Sequence, residues 1–111
     1  PISAGNLCLH LIGNLNTYIG KELGNTGYVR DRPLEFSAKH VPRHELIDKI
    51  DDVAAIVAET MQHVSEDTLA KEYPVVVFQE PSSTEFMLIH LATHLSYHLG
   101  QINYHRRLLD A

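Results

Sequence analysis

The sequence has little with which to cross-link itself, grip a polyanion or cross a membrane. Its 111 residues include one cysteine, so no internal disulfide can close. With no charged-apolar-small leader pattern at the start, this favours a reducing, cytoplasmic setting. Basic residues are scarce: 9 Lys and Arg face 14 Asp and Glu, a formal net charge of -5. No basic cluster is denser than Arg30/Arg32 or Arg106/Arg107, so nucleic acid is excluded as a first-choice partner. No run approaches the ~18 consecutive apolar residues of a membrane span. Apolar residues make up 44%, enough for one small folded domain over 1–111 and too many for disorder.

Several familiar chemistries are missing too. There is no Cys-x-x-Cys, no Gly-rich phosphate loop and no G-x-S-x-G elbow. No Glu-x-x-His pair occurs, which argues against a di-iron carboxylate bundle. His44-Glu45-Leu46-Ile47-Asp48 begins like the zinc-protease H-E-x-x-H but has Asp where the second His is needed. Cys8 stands two residues from His10, so on a helix the two diverge, and core packing is the reading for the thiol.

What is present is helical periodicity. Leu7, Leu11, Leu15 and Ile19 recur at i, i+4 behind a Ser3 N-cap, predicting a helix over 3–23 that stops at Gly24 and the Asn25-Thr26-Gly27 turn signal. Residues 24–42 read as a long connection pinned by Tyr28, Leu34 and Phe36. Leu46, Ile50, Val53, Val57, Met61 and Val64 predict an amphipathic helix over 43–64, its acidic residues on a solvated face. Ser65 caps a short turn towards Tyr73, and Val75–Phe78 reads as a short extended segment too isolated for a sheet. A capping box at Ser82-x-x-Glu85 opens a third long helix over 83–109, with its main stripe at Leu88, Leu91, Leu95, Leu99 and Ile102. Gly100 inside it suggests a close packing contact. The fold class is all-α, with three long helices.

Histidine is the unusual component, with 8 copies. His90, His94 and His98 follow one another at i, i+4, i+8, and Gln101 and His105 continue that flank. Neighbours at this spacing can grip one ion, and a third imidazole from another helix would complete a three-histidine site with an open position. A row of packed, hydrogen-bonded histidines is the alternative.

The segment His94-Leu-Ser-Tyr-His98-Leu-Gly100-Gln101-Ile102-Asn-Tyr-His-Arg106-Arg107, with Leu7-Cys-Leu-His10-Leu-Ile-Gly13-Asn14-Leu15, resembles the DinB/YfiT-like superfamily. The loop Gly27-Tyr28-Val29-Arg30-Asp31-Arg32 extends the similarity. The resemblance implies an up-down-down-up helical bundle holding a divalent metal, zinc or nickel, on His10, His94 and His98. His90 becomes a packing or supporting residue. Gln101, one turn after His98, could bind a ligand or orient His98, the alternative being an ordinary interhelical hydrogen bond. The resemblance also implies a metal-dependent enzyme, a thiol S-transferase or hydrolase using a low-molecular-weight thiol on a small electrophilic substrate. The alternative is a non-catalytic bundle for partner binding or for stress or metal sensing. Glu45, Asp48 and Glu85 are the acid or base candidates by reach, and Tyr97, Tyr104 and Arg106 could shape a pocket. Two departures follow. The family has four long helices and only three are visible, so a helix is expected to be missing before Pro1, by truncation or replacement by a partner. The apolar surface left uncovered then predicts a homodimer. His10, moreover, sits on the Asn6/Asn14/Thr17 flank, off the leucine stripe.

Overall fold

The structure, a computed structural model, describes residues 2–110; Pro1 and Ala111 lie outside them. Among the described residues all regular elements are helical: α1 (Ala4–Leu15), a π-helical stretch (Asn16–Lys21), α2 (Glu22–Gly24), α3 (Arg32–Ser37), α4 (Arg43–Gln62), α5 (Glu66–Ala70) and α6 (Thr84–Asp110). The run from α1 through α2 is unbroken, so the three expected long helices are present. None of the described helices is long and apolar enough to cross a membrane.

The ends follow local chemistry. Ser3 Oγ accepts from the Asn6 backbone N–H at 3.1 Å while Asn6 Oδ1 takes the Ser3 N–H at 3.3 Å, a reciprocal cap. The rod stops at Asn25, which adopts φ 53°. Gly24 has a different task. A Cβ on it would lie 2.5 Å from Thr60 Oγ1, and one on Gly20 would lie 3.0 Å from Ile56 Cγ2. These two glycines let the rod press closely on α4, which buries Thr60 and half-buries Ile56. The α4 face is therefore rotated from expectation: Leu46, Val53 and Val57 face inward, with Val64 half-buried just past the helix end, but Ile50 and Met61 are exposed.

Ser83, not Ser82, caps α6, its Oγ accepting from the Phe86 N–H at 3.0 Å. The Ser82 carbonyl instead accepts from Tyr73 N–H, and Thr84 N–H donates to the Lys71 carbonyl, each at 2.8 Å. These bonds flank a single antiparallel bridge, Glu72 to Ser83, and Val75–Phe78 forms no strand.

The apolar core joins Ile19, Tyr73, Met87 and Leu91. The Tyr73 hydroxyl donates to the Tyr18 carbonyl, which satisfies the polar tip of a buried ring. Thr84, Met87 and Leu91 are the buried residues of α6, continued by half-buried His94, Leu95, His98 and Ile102, whereas Leu99 is exposed. The predicted stripe thus faces inward at Leu88, Leu91, Leu95 and Ile102 and fails only at Leu99, and the inward face is wider than that stripe, extending round to the histidine row. Gly100 makes no close contact: nothing lies within 4 Å of where its Cβ would be.

The 24–42 connection departs most from expectation. It contains α3, capped by Asp31 Oδ1 accepting from Leu34 N–H at 3.1 Å, with Pro33 in the first turn. Leu34 and Phe36 are exposed, and the buried residue is Glu35. Hydrogen bonds dock α3 on α1: Asn6 Nδ2 donates to the carbonyls of Glu35 at 3.0 Å and Ala38 at 2.9 Å.

Candidate metal centre

Helices α1 and α6 run antiparallel, with Ile19 packed among Met87 and Leu91 at one end and His10 against His94 and His98 at the other. Along this interface hydrocarbon gives way to imidazole. The i, i+4 spacing on α6 puts the Nε2 atoms of His94 and His98 3.1 Å apart. His10 brings its own Nε2 to 3.4 Å from that of His94, and one ligand atom from each ring lies within 4.8 Å of the others. The three histidines are therefore close enough to hold one metal ion. His10 reaches this position because the flank bearing Asn6, His10, Gly13 and Asn14 is buried, with α3 and α6 packed on α1.

The outward nitrogens are pinned. His10 Nδ1 donates to Glu35 Oε1 at 3.2 Å, and His98 Nδ1 donates to Gln101 Oε1 at 2.6 Å. A neutral imidazole with its hydrogen on Nδ1 presents a lone pair at Nε2, so both rings aim lone pairs inward. His94 cannot answer both, since its Nε2 carries at most one hydrogen, and its buried Nδ1 has no hydrogen-bond partner. Facing lone pairs are costly to bury unless a cation sits among them. A tetrahedral ion with bonds of about 2.0–2.1 Å requires nitrogens about 3.3 Å apart, and the two spacings above bracket that value. The donor set fits a divalent ion. Burial lowers the His10 pKa, opposed by the Glu35 hydrogen bond and aided by the Arg30 charge. Burial, followed by His98 and His10, pushes His94 down to about 4. Both rings stay neutral at pH 7, the form a metal requires.

Two supporting residues escaped the sequence reading. Glu35 is buried, and Arg30 donates to it from both prongs, Nε to Oε2 at 2.7 Å and Nη2 to Oε1 at 3.0 Å. Arg30 Nη2 also lies 3.3 Å from His10 Nδ1 and 3.5 Å from the His10 carbonyl. The carboxylate, which can only accept, keeps the hydrogen on His10 Nδ1. Gly13 makes room for this. A Cβ there would overlap the Glu35 carboxylate, with Cδ only 2.8 Å away. Gly13→Ala, although it favours helix by about 1 kcal/mol, should displace Glu35 and weaken metal binding about tenfold or more. Unchanged affinity by calorimetry would show that the carboxylate does not support the site.

Other candidates fall elsewhere. The His90 ring packs edge-on against Phe78 at 4.8 Å and lies 6.4 Å from the His94 ring, outside the cluster. Glu45, Asp48 and Glu85 are exposed, and none is hydrogen-bonded to the three histidines. A cavity of about 250 Å³ has His10 and His98 in its wall, with Gln101, Arg32, Phe36 and His105 around them. Tyr97, Tyr104 and Arg106, expected to shape a pocket, do not line it. A larger open depression of about 690 Å³ between Phe78 and Phe86 touches none of the three ligand candidates, so the smaller cavity is the one beside the chemistry.

Comparison with curated proteins and with solved structures found no match. A family profile does match, covering residues 2–111, nearly the whole chain; its family is described as "Protein of unknown function (DUF1572)", and this chain belongs to that family.

Proposed function

We propose that this is a DinB-like protein holding a divalent metal, zinc or nickel, on His10, His94 and His98, and acting as a metal-dependent enzyme on a small electrophilic substrate. The observation that carries the proposal is the convergence of three Nε2 atoms, two of them with the outer nitrogen of the ring fixed by Glu35 and Gln101. The resemblance of the His94–Arg107 segment to the DinB/YfiT-like superfamily supports it. When bound, such an ion supplies Lewis acidity and lowers the pKa of a thiol beside it. The chain's own residues then have distinct tasks. Glu35 holds the proton on His10 Nδ1, Arg30 neutralises Glu35, and Gln101 orients His98 and borders the space where a ligand sits. Thiol transfer suits the site better than hydrolysis. Both Glu35 oxygens are engaged by Arg30, and no carboxylate among the described residues lines the cavity, so a water there has no free carboxylate base among them, whereas a thiolate needs none.

The same lack of a free base favours one alternative, a non-catalytic bundle that senses metal or binds a partner. Self-association belongs to either reading: Phe86, Ile89, Tyr97 and Tyr104 along α6 are each more than half exposed, an apolar face that a second copy would cover.

Elemental analysis beside the His94→Ala/His98→Ala double variant tests the metal. The expected result is about one zinc or nickel per chain, lost in the variant. A native chain that takes up neither ion from excess would sink the proposal. Loaded protein is then assayed with a low-molecular-weight thiol and a chromogenic aryl halide. One metal per chain without acceleration would leave the sensing alternative ahead.

A further inference from the structure

The chain as a whole is acidic, at -5, yet among the described residues no carboxylate stands in the wall of the cavity beside the three histidines. Its ionisable groups are Arg32 and three histidines, His10, His98 and His105. The two carboxylates closest along the chain are already committed. Asp31 accepts the Leu34 N–H at the start of α3, and Glu35 is held by both prongs of Arg30. Arg32 makes no hydrogen bond or ion pair among the described residues. An unpaired guanidinium in a wall with no described carboxylate is a source of positive potential in an acidic protein, and its planar fork matches a carboxylate. Apart from the Gln101 amide, the other described residues of the wall are apolar: Ile2, Leu7 and the Phe36 ring, whose centroid lies 5.2 Å from that of His10. At about 30 Å³ per water, the 250 Å³ cavity has room for about eight waters, hence a molecule of similar heavy-atom count.

We infer that the cavity takes a small carboxylate with an apolar body, its acid group on Arg32 with His105 beside it and its body against Phe36 and Leu7, which brings the remainder over His10 and His98. As a substrate assignment this rests on the proposed metal centre; as an anion site it stands on Arg32 and the wall alone.

Benzoate and its uncharged analogue benzamide are suitable probes. Each is titrated calorimetrically into wild type, Arg32→Gln and Arg32→Lys, with zinc and after chelation. Benzoate should bind at least tenfold more weakly to Arg32→Gln than to wild type, as expected for loss of a charge-assisted contact. Arg32→Lys should recover part of that loss, and benzamide should bind weakly and alike to all three. Zinc content should be the same in every variant. Equal affinity for benzoate and benzamide, no benzoate binding by wild type, or benzoate binding indifferent to Arg32→Gln would each overturn the inference. Benzoate binding that needs zinc and ignores Arg32 would place the anion on the metal, rejecting this inference while sparing the metal centre. Arg32-dependent binding by a chain that takes up no zinc would do the reverse.

Discussion

Glu35→Ala should both destabilise the protein and loosen its grip on metal. The Glu35 and Arg30 side chains are 7% and 13% exposed, so removing the carboxylate leaves a guanidinium with little water and no counter-charge. Breaking a buried pair in this way costs about 3–5 kcal/mol. The lower end applies, because Arg30 has a long stem with which to swing towards solvent. The backbone tie from Asn6 to α3 survives the change, since it uses the Glu35 carbonyl and not its side chain. The loss is therefore chiefly that of the pair and not of α3 docking. Metal affinity should fall about 10- to 100-fold, because nothing then holds the hydrogen on His10 Nδ1 and the ring is free to turn its N–H inward. Glu35→Gln separates the two effects. Its amide oxygen can still accept from His10 Nδ1 but cannot pair with Arg30, so stability should drop nearly as far while affinity is largely retained. Denaturant melts and metal titrations on both variants give the answer. Equal affinity loss in the two would mean that charge, not hydrogen-bond direction, is what Glu35 contributes.

That residue also marks where the sequence stops being legible. The long helices follow from apolar residues recurring at helical spacing, and His94 and His98 from their i, i+4 relation, which is local and needs no knowledge of neighbours. Glu35 belongs to no such pattern. It sits in a six-residue helix with no room for a period, and an acidic side chain in a connection reads as solvated by default. Its partners Arg30, His10 and Gly13 are 5, 25 and 22 positions away, so only the folded arrangement of α1 and α3 joins them. A signal for α3 was present: Asp31 followed by Pro33 is a helix start. The glycine in mid-helix at Gly13 was a second, because such a residue often marks a close approach. The widening of the α6 face has the same origin. Hydropathy ranks histidine low and leucine high, so it favours Leu99, which is exposed, while the half-buried positions include His94 and His98. A polar site inside a bundle widens the buried face beyond the apolar stripe that locates the interior from hydropathy.

Metal should therefore stabilise the fold strongly, with a pH dependence set by rings that resist protonation. At a thousand times its dissociation constant, zinc should add about 4 kcal/mol to the unfolding free energy, and none in His94→Ala/His98→Ala. Without metal the sign of the pH effect follows from His10 and His94. Both have lowered pKa values in the folded chain, His94 about 4, whereas in the unfolded chain they titrate near ~6.5. Between those values the unfolded chain binds protons that the folded chain does not. Metal-free stability is thus full above about pH 7 and is lost as pH falls from about 6.5 towards 4, by about 2 kcal/mol for His94 after allowance for partial solvent screening. Proton counts give an independent check. At pH 6 three ordinary imidazoles would release about 2.3 protons on binding a metal. A centre in which two of the three rings, His10 and His94, are already neutral has one ring left to discharge and should release less than one proton, counted by calorimetry in buffers of different ionisation heat. Two or more protons would mean that the rings are solvated until the ion draws them together. A lower count would mean that α1, α3 and α6 hold the lone pairs inward beforehand, with the cost of that arrangement already carried by the fold.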